Sequence, residues 1–185
     1  LMPVVGLAAA TLASTILWLV NLRPETSFVG DTIVTLYIMT IPAIALIIGG
    51  SASGNPLGAL GSAREMKLLF AYELPLAIAF LTTIVKVGSF SFEKVLMYQQ
   101  YNGVMLGSVS GVLAFIVAIF CAQAKLGFLP FDIPEAETEI AGGTHIEYSG
   151  APLAIVRLNT AAMYLVVPLF IITMFWGGVA FTGWR

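Results

Sequence analysis

Leu68-Leu-Phe-Ala-Tyr-Glu-Leu-Pro-Leu-Ala-Ile-Ala-Phe-Leu-Thr-Thr-Ile-Val-Lys-Val87 decides the fold. In this run only Glu73 and Lys86 are charged. A stretch of about 20 mostly apolar residues is the length of helix that crosses a hydrocarbon core. The whole chain agrees with that reading. It is 59% hydrophobic and 10% charged, with mean hydropathy +0.97. Soluble domains carry about 25% charged residues. So few charges cannot cover a water-facing surface, so lipid is the solvent for most of this chain.

Four more runs of membrane length lie to either side. The five expected spans are about 1–22, 32–50, 68–87, 104–124 and 153–181. Gly and Pro punctuate the connections between them. No internal repeat or low-complexity tract is present. The expectation is an all-α integral membrane protein, a single membrane domain over residues 1–185 with five transmembrane helices. The chain opens at Leu1 inside an apolar run and ends at Gly183-Trp-Arg185, directly after one. Terminal portions beyond both ends are expected.

Composition also excludes classes. Net charge is −2, too small to point to nucleic acid or an anionic membrane surface as partner. Cys121 is the only cysteine, which rules out an internal disulfide and a cysteine-ligated iron–sulfur cluster built by this chain alone. The chain has one histidine and shows no nucleophile–His–acid pattern. It has no phosphate-binding Gly-x-x-x-x-Gly-Lys-[Ser/Thr]. A stand-alone transporter would need a repeat and midplane polar residues.

Loops alternate sides, so 51–67 and 125–152 share one face. Residues 23–31 and 88–103 share the other with the C-terminus. Basic residues do not orient them: Arg23, Lys86, Lys94 and Arg185 stand against Arg64, Lys67, Lys125 and Arg157. The acids are uneven. Asp132, Glu135, Glu137, Glu139 and Glu147 lie together in 125–152, beside His145. Such a cluster is a solvated face, a docking surface or a proton-handling element. Glu135 and Glu139 repel at i, i+4 and ask for a cation, a basic surface or protonation. The interleaved Phe131, Ile133, Ile140, Ile146 and Tyr148 indicate cover by something apolar. A metal site at His145 and Glu147 is disfavoured, because two ligand types do not make a coordination sphere.

Glu73 is the sharpest single residue. An ionised carboxylate inside a span costs about 2.5–3.5 kcal/mol on insertion scales. It must pair, face a polar cavity or stay protonated. Arg64 or Lys67 would pair with it near the interface, and the rival reading is a proton relay. Lys86 is expected to snorkel to an interface. Arg157 could pair with Glu147 or Glu73.

Two stretches resemble a known family. Gly50-Ser-Ala-Ser-Gly-Asn-Pro-Leu-Gly-Ala-Leu-Gly-Ser-Ala-Arg-Glu-Met-Lys-Leu-Leu-Phe-Ala-Tyr-Glu-Leu-Pro-Leu76 is similar to one helix connection of the proximal membrane subunit of respiratory complex I, the subunit 1 type. Pro130-Phe-Asp-Ile-Pro-Glu-Ala-Glu-Thr-Glu-Ile140, through His145-Ile-Glu-Tyr-Ser-Gly150, resembles a later loop of the same subunit. The resemblance implies helices two to six of an eight-helix fold. It also implies that loops 51–67 and 125–152 face the cytoplasm, in the cell membrane. Energy-converting membrane-bound [NiFe] hydrogenases and sulfur-reducing relatives carry the same subunit type. Respiratory members have an acid at the position of Lys125, an arginine at Phe128 and often a glutamate at Thr160. Ala124-Lys-Leu-Gly-Phe-Leu-Pro-Phe-Asp132 is more similar to the hydrogenase branch.

The implied function is an anchoring and coupling subunit that links ferredoxin-driven electron transfer to proton or sodium movement. Quinone-site and sulfur-reductase versions are the alternatives. No cofactor is expected on this chain, whereas iron–sulfur clusters and a NiFe centre are implied in partner subunits. Antiporter-like membrane subunits and the bilayer are further implied partners. The expected path residues are Glu73, Asp132, Glu135, Glu137, Glu139 and Glu147. Arg64, Lys67, Lys125, His145 and Arg157 are the expected arm contacts or ion pairs.

Overall fold

A computed structural model describes residues 1–134 and 142–179. Among them every regular element is helical. Helix α1 is Met2–Leu22, α2 Asp31–Ile38, α3 Ile41–Ser51, α4 Pro56–Val87, α5 Phe92–Asn102, α6 Val109–Lys125 and α7 Gly150–Phe175. Four stretches are long and apolar enough to cross a membrane: α1, α2 with α3, α4, and α7. Helix α6 has 17 residues, roughly 25 Å of rise. A short 3-10 turn, Met105–Gly107, extends it toward membrane length.

The boundaries differ from the sequence expectation where caps and prolines act. Residues 56–67, expected in a connection, are the first turns of the 32-residue α4. Asn55 caps that helix, accepting from Leu57 N at 2.9 Å, and Pro56 follows where no N–H donor is needed. The second span is broken. Pro42 cannot donate to the carbonyl four residues back, and Met39–Thr40 form a turn between α2 and α3. Residues 88–103 hold the short helix α5. Helix α6 starts at Val109, after Ser108. The Ser108 hydroxyl also takes a 2.8 Å hydrogen bond from Lys86 Nζ, which leaves that ammonium exposed at the end of its span. Helix α7 runs from Gly150 to Phe175, against an expected 153–181.

The spans pack in the order α6, α4, α3, α1, α7. An aromatic knot brings the two ends of that series together. Phe80 of α4 meets Phe170 of α7 at 4.6 Å, edge to face. Phe92 of α5 meets Phe170 at 5.8 Å, and Phe115 of α6 meets Phe175 at 5.6 Å. The outward side is apolar too. Phe70, Leu74, Ile78, Leu81 and Val85 lie exposed along one face of α4 at helical spacing. Lipid is the environment such a face requires.

Side-chain bonds fix which connections share an end. Asn55 Nδ2 donates to Glu147 Oε1 at 2.7 Å, tying the start of α4 to the loop before α7. Ser27 and Ser91 hydroxyls meet at 2.8 Å at the opposite end. There Asp31 is completely buried, and it accepts from Phe28 N at 2.9 Å and from the Ser27 hydroxyl.

Candidate ion-coupling site

Helix α4 carries Glu65, Tyr72 and Glu73 at positions i, i+7 and i+8, which places them on one side of the helix. That side meets the α2–α3 break and the C-terminal end of α6. Glu73 Oε2 receives a 3.0 Å ion pair from Lys125 Nζ. Its Oε1 accepts from the Thr40 hydroxyl at 2.6 Å. The Lys125 side chain is 2% exposed and that of Glu73 17%. The ammonium also sits 5.1 Å from the centre of the Tyr72 ring. A carboxylate in a span is stabilised in this way by a cation and a hydroxyl donor.

Above the pair lies a cavity of about 80 Å³, bounded by α3, α4, the end of α6, the loop at 126–134 and α7. Its charged wall is Glu65, Lys125 and Asp132, and Tyr72, Asn159 and Thr160 add polar groups. Tyr72 and Asn159 are almost fully buried. Tyr72 Oη and Asn159 Oδ1 have no hydrogen-bond partner among the described residues. Unsatisfied buried polar atoms beside a cavity mark a site that takes a polar guest.

The structure sorts the expected site residues. Glu73, Lys125 and Asp132 come together around the pair and its cavity. Lys125 takes the partner role that Arg64 or Lys67 was expected to fill. Arg64 instead points to the loop, with Nη1 3.4 Å from Ile133 O, and Lys67 is exposed. Glu147 is exposed and held by Asn55, away from the cavity. Arg157 is exposed on α7, and its two expected partners are taken, Glu73 by Lys125 and Glu147 by Asn55. His145 is half-buried in the turn Gly143–His145 that lies against α4. Glu135, Glu137 and Glu139 lie outside the described residues. Among the described residues no three His, Cys, Asp or Glu side chains converge as metal ligands would. Thr40, Glu65, Tyr72 and Asn159 were not singled out in the sequence. Glu65 and Tyr72 carried a signal, their helical spacing to Glu73, which becomes visible once α4 is started at Pro56.

Two features anchor the loop over this site. Gly61 of α4 lies under the turn at Gly143–His145, where a methyl group would come within 2.6 Å of Thr144 N and 2.9 Å of Gly143 Cα. The phenol of Tyr148 rests on Gly49 at the end of α3. Burial raises the pKa of that phenol. Phe128, at the position read in the sequence as departing from the respiratory pattern, lies flat on Tyr164, with ring centres 5.2 Å apart and 11° between planes.

The fold and site define a multi-pass, all-helical membrane protein with a carboxylate–ammonium pair inside its helix bundle. The chain belongs to the NADH dehydrogenase family, whose sequence model matches residues 1–184. An NADH-quinone oxidoreductase membrane-complex relative from Solibacter usitatus is 33% identical over 82% of this chain and 40% of its own length. NADH-quinone oxidoreductase subunit 8 of Thermus thermophilus is 32% identical, over 77% of this chain and 40% of its own. A solved chain from the membrane-bound sulfane sulfur reductase, an archaeal respiratory membrane complex, is similar with TM-score 0.84 and 26% identity. That match covers 94% of this chain and 57% of the other. The chain therefore spans about half the length of the proteins it matches.

Proposed function

We propose that this chain is the anchoring and coupling part of a membrane subunit in an energy-converting [NiFe] hydrogenase-type complex. Its loop end faces the cytoplasm and receives a peripheral arm that holds the iron–sulfur clusters and the NiFe centre. Reduced ferredoxin supplies electrons to that arm, and antiporter-like membrane subunits continue the path. The observation that carries the reading is the buried Glu73–Lys125 pair directly beneath the loop, joined to Asp132 and Glu65 by one cavity. A charge change in the arm would act on Asp132 and the loop and, through the cavity, on the pair, a local electrostatic event with a distant effect.

The hydrogenase branch is supported by Lys125 and Phe128. Lys125 is committed to Glu73, and Phe128 presents a stacked ring where a guanidinium would serve a polar headgroup. A second reading, sulfur reduction, draws on the sulfane sulfur reductase likeness. The test is activity of the purified native complex with reduced ferredoxin and protons, polysulfide or quinone as acceptor. Hydrogen evolution is expected, polysulfide reduction selects the second reading, and quinone reduction overturns both. In the same complex Glu73→Gln should assemble and lower coupled ion transport by at least about 10²-fold, the lower range for losing a proton-transfer group. Unchanged transport removes Glu73 from the path.

A further inference from the structure

The reading above leaves open which ion the membrane carboxylate exchanges. A sodium ion bound at Glu73 would have to sit against the carboxylate and collect further oxygen ligands, as hard cations do. Both carboxylate oxygens are already engaged, Oε1 by the Thr40 hydroxyl and Oε2 by Lys125 Nζ at 3.0 Å. The ammonium is a compact point charge on a tether, close in size and charge to the ion it would exclude. It cannot drift away into solvent, because its side chain is 2% exposed. A second cation would face its repulsion at short range in a medium of low dielectric.

We propose that Lys125 is the ion-specificity residue of this site: a tethered cation that fills the place a metal ion would need, so that Glu73 exchanges protons only. This rests on the coupling role given to Glu73. An arriving proton binds Glu73 Oε2 and makes a neutral carboxylic acid. Lys125 keeps its own proton and charge, and Glu65 and Asp132 on the same cavity wall become its remaining acidic neighbours. When the proton leaves, the carboxylate takes the ammonium back. Specificity here comes from excluding the competitor rather than from added contacts to the proton.

The test is equilibrium binding of radiolabelled sodium to the purified complex, compared between wild type and variants. Lys125→Gln should add one sodium site per complex, and Lys125→Arg should add none. The double variant Lys125→Gln with Glu73→Gln should lose the added site. Equal sodium counts in wild type and Lys125→Gln would overturn the proposal. So would a wild-type count that falls on Glu73→Gln, since Glu73 would then hold sodium beside Lys125. Assembly gives a second measurement if Lys125→Gln is unstable. Its assembled yield should rise with sodium but not with choline at equal ionic strength, and an equal response to both salts counts against the proposal. Failure of the coupling role itself has a separate signature, unchanged transport in Glu73→Gln whatever the sodium count.

Discussion

At the scale of single residues, the site is organised by charge pairing away from water. Removing one partner of a buried ion pair costs about 3–5 kcal/mol, because the other charge is stranded. Lys125→Met alone is therefore expected to lower the thermal stability of the detergent-purified complex sharply. Lys125→Met combined with Glu73→Gln should recover most of the loss. A double variant as unstable as the single one would show that Lys125 acts by packing its stem rather than by pairing. Asp31 follows a different rule at the far end of the bundle. Its buried carboxylate is satisfied by a backbone N–H and a hydroxyl, so it needs no cation. Glu73 was legible in the sequence as a carboxylate in need of a partner. Which partner was not legible, because Lys125 is 52 positions away and only the packing of α4 on α6 joins them.

At the scale of elements, the Gly/Ser-rich stretch before Glu73 has a geometric explanation. Gly61 lets the turn at Gly143–His145 settle on α4 at backbone distance. Gly61→Ala forces that turn outward, an overpacking that costs about 1–3 kcal/mol. The expected result is faster cleavage of the 125–152 connection by added protease, with the helix bundle still assembled. Cleavage at the wild-type rate would mean that the turn is held elsewhere. This stretch reads as a loop when only hydropathy is followed. Asn55-Pro56, a cap followed by a proline in the first helical turn, is the local signal that starts α4 early and brings Glu65 and Tyr72 onto the site. The break at Met39–Thr40 was hidden for a related reason: Ile41-Pro-Ala-Ile-Ala-Leu-Ile-Ile48 is apolar throughout, and hydropathy alone does not register the missing donor of Pro42.

At the scale of the whole molecule, loop parity read from the sequence matches the two bonded ends, Asn55 with Glu147 and Ser27 with Ser91. Orientation in the bilayer has a direct check. Cysteines placed at exposed Ala52 and Tyr101 should react with an impermeant maleimide from opposite sides, Ala52 in inverted vesicles stripped of the arm and Tyr101 in intact cells. Labelling of both from one side would break the topology. Native Cys121 is buried and should stay silent. Five spans and their alternation were legible because lipid imposes length and apolarity on each. The cavity was not, since it is shaped by five separate segments that meet only in the fold. One placement ties these scales together. Lys125 is both the last residue of α6 and the first of the acidic connection. The connection is a lever arm, and its fulcrum is the side chain that grips Glu73. A tug on the lever arrives at the membrane carboxylate in a single joint, with no relay of intervening parts to absorb it.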